Sequence, residues 1–335
     1  YLKGWDYFRT ARHEEMKGLG ILDSKWDISP RDSDVGNWED AKYKEWEDSK
    51  MAAYAAMIDS MDQGIGRVIK TLGNNNQFDN TLIFFMSDNG GCAELMREDG
   101  DWSNTSQWET NTINGEPVKV GNIPNLRPGP GTTFQSYETP WTNVSNSPFR
   151  LFKRWIHEGG ISAPLIVHWP ATIKESRIES EPVHIMDIPA TSIDAAGARY
   201  PSEYNGNSII PIEGESFMTL LQSKWSRQKP MYWEHEGNQG IRKGEWKLVR
   251  EFGKDWELFN MNEDRTELND LALYEKERVK EMSKEWEDWA KVSNVLPWPV
   301  DPNVMAKRLE GDHSHIHQHR GPTAGQIASG KGKFL

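Results

Sequence analysis

The sequence predicts an α/β fold: a buried sheet flanked by helices, followed by a small antiparallel sheet with its own helix. Three observations predict it. Two short apolar runs without alternation, residues 81–86 (TLIFFM) and 163–170 (APLIVHWP), read as strands covered on both faces, the pattern of a parallel sheet. An apolar stripe at three- and four-residue spacing along 38–72 reads as a long helix leading into the first of them. After Pro230 the texture changes to short alternating segments separated by glycine-centred turns, which is how an antiparallel meander reads.

The elements follow in order. Residues 1–22 place Trp5, Phe8, Met16 and Leu19 among charged neighbours, an amphipathic helix closing near Gly18 and Gly20. The stripe of the second helix is Met51, Tyr54, Ile58, Met61, Ile65, Val68 and Leu72, and Gly73 with the asparagines behind it ends the helix. Residues 93–147 are polar and aperiodic, and a stretch of that length inside a domain reads as a functional loop. It holds N-x-S/T triplets at Asn104 and Asn143, weak glycosylation signals. Pro170 ends the second strand, and VHIMDIPATSIDAAG, residues 183–197, reads as a strand edge leading into a helix. A charged helix over 273–289 covers the meander. His313, His315, His317 and His319 alternate in the tail; they could bind a transition metal if extended, and a disordered polar terminus is the simpler reading. The expected organisation is an α/β portion over 1–229, an antiparallel α+β subdomain over 230–300 and an irregular tail over 301–335.

Composition narrows the function. A net charge of −12 leaves no broad basic face for nucleic acid or an anionic membrane surface. Mean hydropathy is −0.76, and no apolar run approaches the roughly 18 residues of a membrane helix. The single cysteine, Cys92, excludes an internal disulfide and a cysteine-cluster metal site. The first residues, YLKGWDYFRT, carry no initiator Met and no leader pattern and read as mid-helix. The expectation is an N-terminally incomplete chain whose start says nothing of localisation.

Two segments carry chemistry. Asp88 and Asn89 follow the first strand, in NTLIFFMSDNGG, at the carboxyl end where open α/β sheets bind ligands, and Gly90 and Gly91 permit a tight turn around whatever is bound. Between the strands, SPFRLFKRWIHEGGISAPLIVHWP clusters Arg150, Lys153, Arg154 and His157. That cluster is either a solvated cationic face or a local positive pocket. Its pairing with an acid and an amide favours the pocket, because an oxygen-ligated metal plus a lysine neutralises a tetrahedral oxyanion.

These two segments, followed by GIRKGEWKLV and WELFNMNEDRTELNDLA, resemble in order the later motifs of the arylsulfatases, the type I sulfatases of the alkaline phosphatase superfamily. The resemblance implies part of an alkaline-phosphatase-like mixed sheet flanked by helices, and hydrolysis of a sulfate ester to an alcohol and sulfate. It implies calcium held by Asp88 and Asn89, and Lys153 as the catalytic, sulfate-binding lysine. The implied substrate is a sulfated small molecule or carbohydrate, and the implied location periplasmic or extracellular. His235, in WEHEGN, is a candidate substrate contact or a structural turn residue; His157 is read as a packing residue. The family's C/S-x-P-S-R motif, whose first residue becomes formylglycine, is absent. Cys92 stands in GGCAEL without the following Pro and Arg, so it is read as a small residue packed beside the metal loop. The nucleophile, the paired aspartates and the Lys-x-His motif are expected in a missing N-terminal half. Two rival readings remain: a phosphoesterase or phosphonate hydrolase of the same superfamily, and a non-catalytic partner chain of a split sulfatase. The sixteen tryptophans admit a sugar-stacking reading, but contexts such as EWKLV and DWELF favour core positions.

Overall fold

The computed structural model describes residues 1–94, 96, 111–124 and 126–300. The histidine-rich tail and Asn104 lie outside the described residues. Among those described, no helix is long and apolar enough to cross a membrane.

Helix α1 (Trp5–Gly18) buries Trp5, Arg9 and His13, one residue per turn on a single face. The two polar members are satisfied by backbone: Arg9 Nη2 donates to Ser29 O at 2.8 Å, and His13 Nε2 meets Trp26 O at 2.9 Å. Leu19, expected on the apolar face, is exposed beyond the helix end. Helix α2 (Lys44–Asn74) buries Trp46, Glu47, Lys50 and Met51. Further along, Met57, Ile58, Met61 and Val68 are exposed, so the described residues cover only the first turns of its apolar stripe. Within the expected loop a further helix, α3 (Glu138–Ser145), brings the fully buried Trp141 against Trp5, Trp38 and Met51. Trp141 Nε1 donates to Glu47 Oε2 at 2.8 Å, and Lys50 neutralises both Glu47 and Glu138 at 3.0 Å. Asn143, on the same helix, is buried, and its Oδ1 accepts from the Asp32 amide at 3.2 Å. The folded chain therefore shields that triplet from glycosylation.

Strand β1 (Ile83–Met86) pairs with β4 (Leu165–His168) in antiparallel register, Phe84 opposite Val167 and Phe85 opposite Ile166. The parallel-sheet pattern read from each apolar run does not hold for this pair. An apolar run reports that both faces want cover, and says nothing of the neighbour's direction. One face, with Leu82, Phe84, Leu165 and Val167, packs on Phe217, Leu220 and Leu221. On the other face Phe85 and Ile166, cross-strand partners, are exposed. Between these strands lie the two-residue strands β2 (Lys119–Val120) and β3 (Thr133–Phe134), which pair in parallel, α3, and the single turn α4 (Glu158–Ile161). After them come α5 (Asp187–Ala195) and the small hairpin β5 (Glu203–Tyr204) and β6 (Asn207–Ser208). The stretch before α5, expected as a strand edge, forms none.

The meander is present. Strands β7 (Met231–His235), β8 (Asn238–Lys243), β9 (Trp246–Arg250) and β10 (Glu257–Asn260) form one four-stranded antiparallel sheet in the order β10-β9-β8-β7. The β7–β8 turn uses Glu236 and Gly237, at φ 51° and 80°, the two left-handed residues that a twisted two-residue hairpin requires. Period-two alternation divides the sheet. Ile241, Leu248 and Leu258 pack with Met282, Trp286 and Ala290 of α6 (Lys276–Val292), whereas Val249, Phe259 and Met261 pack with Ile156. Gly240 admits Ile156 to that second face, since a Cβ there would stand 2.5 Å from Ile156 Cγ2. The sheet thereby sits against the segment that carries Lys153.

Candidate active site

The acid–amide pair lies just beyond the end of β1, in a loop held from both sides. Ser87 Oγ donates to Asn89 O at 2.9 Å, and Asn89 Nδ2 donates to Gly90 O at 2.7 Å, leaving Asn89 Oδ1 as its side-chain acceptor. The Gly90 amide donates to Gly160 O at 2.9 Å and the Gly91 amide to Asn146 Oδ1 at 2.9 Å. Asn146 passes the connection on, donating from Nδ2 to Leu151 O at 3.0 Å. The Lys153 amide closes the ring by donating to Gly91 O at 3.0 Å. Asp88–Asn89 and Lys153 thus belong to one backbone-locked unit, although 64 positions separate Asn89 from Lys153 (153 − 89).

The glycines serve this lock. Neither Gly90 nor Gly91 has a positive φ. A Cβ at Gly90 would overlap the Gly159 carbonyl, and one at Gly91 would stand 2.5 Å from the Tyr137 hydroxyl. The expectation of a tight turn is replaced by a close approach of two backbones. Gly159 and Gly160 repeat the device one layer down, pressed on the carbonyls of Arg150, Leu151 and Trp155. In the turn around Lys153, Leu151 and Arg154 hold φ of 63° and 102°. Non-glycine residues keep such angles only where their surroundings over-determine them, at a cost of about 1–3 kcal/mol each.

The basic cluster separates into two parts. Arg150 Nη2 bonds both carboxylate oxygens of Glu257 at 2.9 Å, and the fully buried His157 donates from Nε2 to the same group at 2.8 Å. Burial would raise the Glu257 carboxyl, but the His157 hydrogen bond and the Arg150 charge bring it down to about 2. Arg150 is therefore neutralised within the fold and His157 is internal, and the packing reading of His157 holds in a specific form. Arg154 Nε pairs with Glu236 at 2.5 Å. Lys153 alone keeps an amine with one loose partner, Glu94 at 3.5 Å, its own side chain 42% exposed. An exposed pair of that kind is worth at most about 1 kcal/mol, so the ammonium can change partners readily.

The model of the sulfatase family matches residues 24–198, and that of the C-terminal part of N-sulphoglucosamine sulphohydrolase matches 149–293. The chain belongs to the sulfatase family. An uncharacterized sulfatase of Schizosaccharomyces pombe is 29% identical to it over 318 residues, 90% of this chain and 54% of that protein. The arylsulfatase of Klebsiella aerogenes is 25% identical over 233 residues, 68% of this chain and 47% of its own. The solved structure of Ps i-CgsB in complex with k-i-k-neocarrahexaose shares the fold, with a TM-score of 0.52 at 20% identity over 94% of this chain and 61% of that one. The sulfatase chain spans about half the length of the curated relatives it matches.

Beneath the Lys153 turn of this sulfatase lies a buried ion cluster that sequence reasoning missed. Lys247, fully buried on the inner face of β9, reaches Glu158 Oε1 and Glu267 Oε1, each at 2.8 Å. Arg265 Nη2 adds a contact to Glu158 at 3.3 Å, and Glu267 Oε2 accepts from the Glu158 amide at 2.9 Å. Burial pushes the Glu158 carboxyl up; Lys247, Arg265 and Arg242 outweigh it and hold it at about 2. The signal was in the sequence: in WKLVR the alternation puts Lys247 on the same side as Val249, an inward lysine in a buried strand.

The remaining site residues fall around this unit. Asp88 is exposed at the mouth of the loop. With Asn89 it offers hard oxygen donors of the kind calcium takes, yet no group of three or more His, Cys, Asp or Glu among the described residues could hold a metal. By donor chemistry alone the pair is compatible with two ligands of a cation site. His235 is exposed at the end of β7, one residue before the Glu236 that pairs with Arg154. Cys92 is a free thiol whose carbonyl accepts from Thr142 Oγ1 at 2.9 Å, which agrees with a packing role beside the loop.

Proposed function

We propose that the chain carries the sulfate-binding and part of the cation-binding machinery of a sulfuric ester hydrolase, which cleaves a sulfate ester to an alcohol and sulfate. The observation that supports this most is the hydrogen bond from the Lys153 amide to Gly91 O, 3.0 Å, which ties a loosely paired lysine to the acid–amide loop. Asp88 would contribute a carboxylate and Asn89 a carbonyl oxygen to a calcium ion, which would supply positive charge beside the sulfate oxygens. Lys153 exchanges Glu94 for a nonbridging sulfate oxygen and neutralises the charge that grows there in the transition state. Because the loop and the lysine turn are locked through backbone, this arrangement needs little reorganisation as the reaction proceeds. The nucleophile is supplied from outside residues 1–335, since the sequence holds no C/S-x-P-S-R.

The α/β portion over 1–229 is read as the frame of this centre and the subdomain over 230–300 as its buttress, the Lys247 cluster joining the two. His235, beside the β7–β8 turn, is a substrate contact. The test is turnover by the complete protein of 4-nitrophenyl sulfate against 4-nitrophenyl phosphate, with and without a calcium chelator. Faster, chelator-sensitive hydrolysis of the sulfate is expected; preference for the phosphate would transfer the reading to a phosphoesterase.

A further inference from the structure

A cavity of about 260 Å³ opens between the β7–β8 turn, the stretch that follows β9 and the segment 295–298 behind α6. Its size, at the lower edge of the roughly 300–1,000 Å³ of small-molecule pockets, suits one sugar ring better than a chain of them. Two aromatic side chains stand at it, Phe252, 54% exposed, and Trp298, 38% exposed. Both rest on the hairpin turn: a Cβ at Gly237 would lie 2.5 Å from Phe252 Cδ2 and 3.0 Å from Trp298 Cβ. Trp298 stands open beside a concavity, whereas Trp5, Trp38, Trp141 and Trp286 are buried in the α1–α3 and α6 clusters.

The polar wall of the cavity offers donors and acceptors together. Glu234 Oε1 accepts from the Gly237 amide at 2.8 Å, leaving Oε2 as an acceptor. Arg250 Nε donates to Gln239 Oε1 at 2.7 Å, leaving the terminal guanidinium nitrogens and the Gln239 amide nitrogen as donors. Lys254 is paired with Glu251 at 3.0 Å, so the wall is close to electrically balanced. A sulfate or phosphate, which only accepts, would face the Glu234 carboxylate at a loss. A pyranose both donates and accepts through its hydroxyls, and its C–H face packs flat on an aromatic ring.

The cavity is joined to the reaction centre by one buried amide. Asn238 donates from Nδ2 to Arg154 O at 3.2 Å and accepts at Oδ1 from the Phe252 amide at 3.0 Å. Arg154 directly follows Lys153. We propose that this cavity is a glycan subsite, binding an uncharged pyranose ring next to the sulfated ring whose ester is cleaved, so that the substrate is a sulfated oligosaccharide or polysaccharide. This rests on the reading of Lys153 and Asp88–Asn89 as a sulfate-ester centre.

The test compares kcat/KM on tetrasaccharides of κ-carrageenan, porphyran and keratan sulfate, in which the sulfated ring adjoins a neutral one, with kcat/KM on the sulfated monosaccharide bearing the same ester. For at least one series the complete protein should prefer the tetrasaccharide by about tenfold, the scale of a good aromatic contact. Trp298→Ala and Phe252→Ala should each bring that ratio close to one, and Tyr274→Ala, an exposed aromatic elsewhere, should keep it. A ratio unchanged in both cavity variants, or no preference in any series, would overturn the subsite. If the wild type cleaves no sulfate ester, the reading of the centre itself falls. Electrophoresis through gels containing the desulfated polysaccharides then decides the cavity by itself: retardation lost in Trp298→Ala supports it, and equal mobility with and without polysaccharide refutes it.

Discussion

Replacing Lys247 with methionine keeps most of the side chain's volume and removes one charge from the cluster beneath the Lys153 turn. The lysine has no exposure, and its two carboxylate partners, Glu158 and Glu267, are 3% and 0% exposed. After the change Glu158 keeps Arg265 at 3.3 Å, while Glu267 keeps only Arg150, at 4.0 Å. Removing one member of a buried pair costs about 3–5 kcal/mol, because the remaining charge has neither water nor partner. That is a large share of the roughly 5–15 kcal/mol by which a protein is stable. The double change Lys247→Met with Glu267→Gln removes the stranded charge as well and should recover more than about 1 kcal/mol, the signature of a coupled pair. The assay is urea unfolding of the complete protein followed by tryptophan fluorescence, with slope and midpoint compared across the cycle. If Lys247→Met shifts stability by less than about 1 kcal/mol, or the two changes simply add, the cluster does not couple the sheet to the Lys153 turn.

Three further outcomes follow from the same geometry. Gly90→Ala drives a Cβ into the Gly159 carbonyl and should lower turnover by about 100-fold, since a shift near 1 Å suffices, with far-UV circular dichroism retained; full activity would show that the backbone lock is not needed. Asp88→Ala should abolish calcium binding measured by calorimetry, and Asn89→Ala, which loses a neutral ligand, should weaken it; wild-type affinity in both would remove the cation role. Glu158 and Glu257 have folded-state pKa values of about 2, below the ordinary glutamate value, so the unfolded chain binds more protons and stability falls as pH drops from 4.5 toward 2. Glu257→Gln should flatten that part of the stability–pH curve, and an unchanged slope would mean that this carboxylate is not held ionised by His157 and Arg150.

The parts of the candidate site that are local in sequence could be proposed from it. Asp88–Asn89 follows an apolar strand, and Lys153 sits in a motif with its own spacing, so both could be named from residue type and order. The four-stranded meander and α6 were legible for a similar reason, since period-two and period-3.6 patterns are local signals. What joins distant segments was not. The direction of β4 relative to β1 leaves no trace in either apolar run, and Gly90–Gly91 reads as a turn because the backbone that Gly90 touches lies 70 positions away (160 − 90). Arg150 read as part of a positive pocket because Glu257, which neutralises it, comes about a hundred residues later. Helix α1 shows the same limit at short range: Arg9 and His13 do the burying, and a hydrophobic pattern cannot see a buried polar residue satisfied by carbonyls.

The central claim is that the amine of Lys153 neutralises a tetrahedral sulfur oxyanion beside Asp88 and Asn89. Steady-state hydrolysis of 4-nitrophenyl sulfate by Lys153→Ala in the complete protein tests it most directly. Losing one preorganised donor to the transition state should lower kcat by about 100- to 1000-fold while the thermal midpoint stays near that of the wild type, because the exposed side chain contributes little to the fold. Wild-type kcat in Lys153→Ala would return the lysine to the solvated surface and contradict the account.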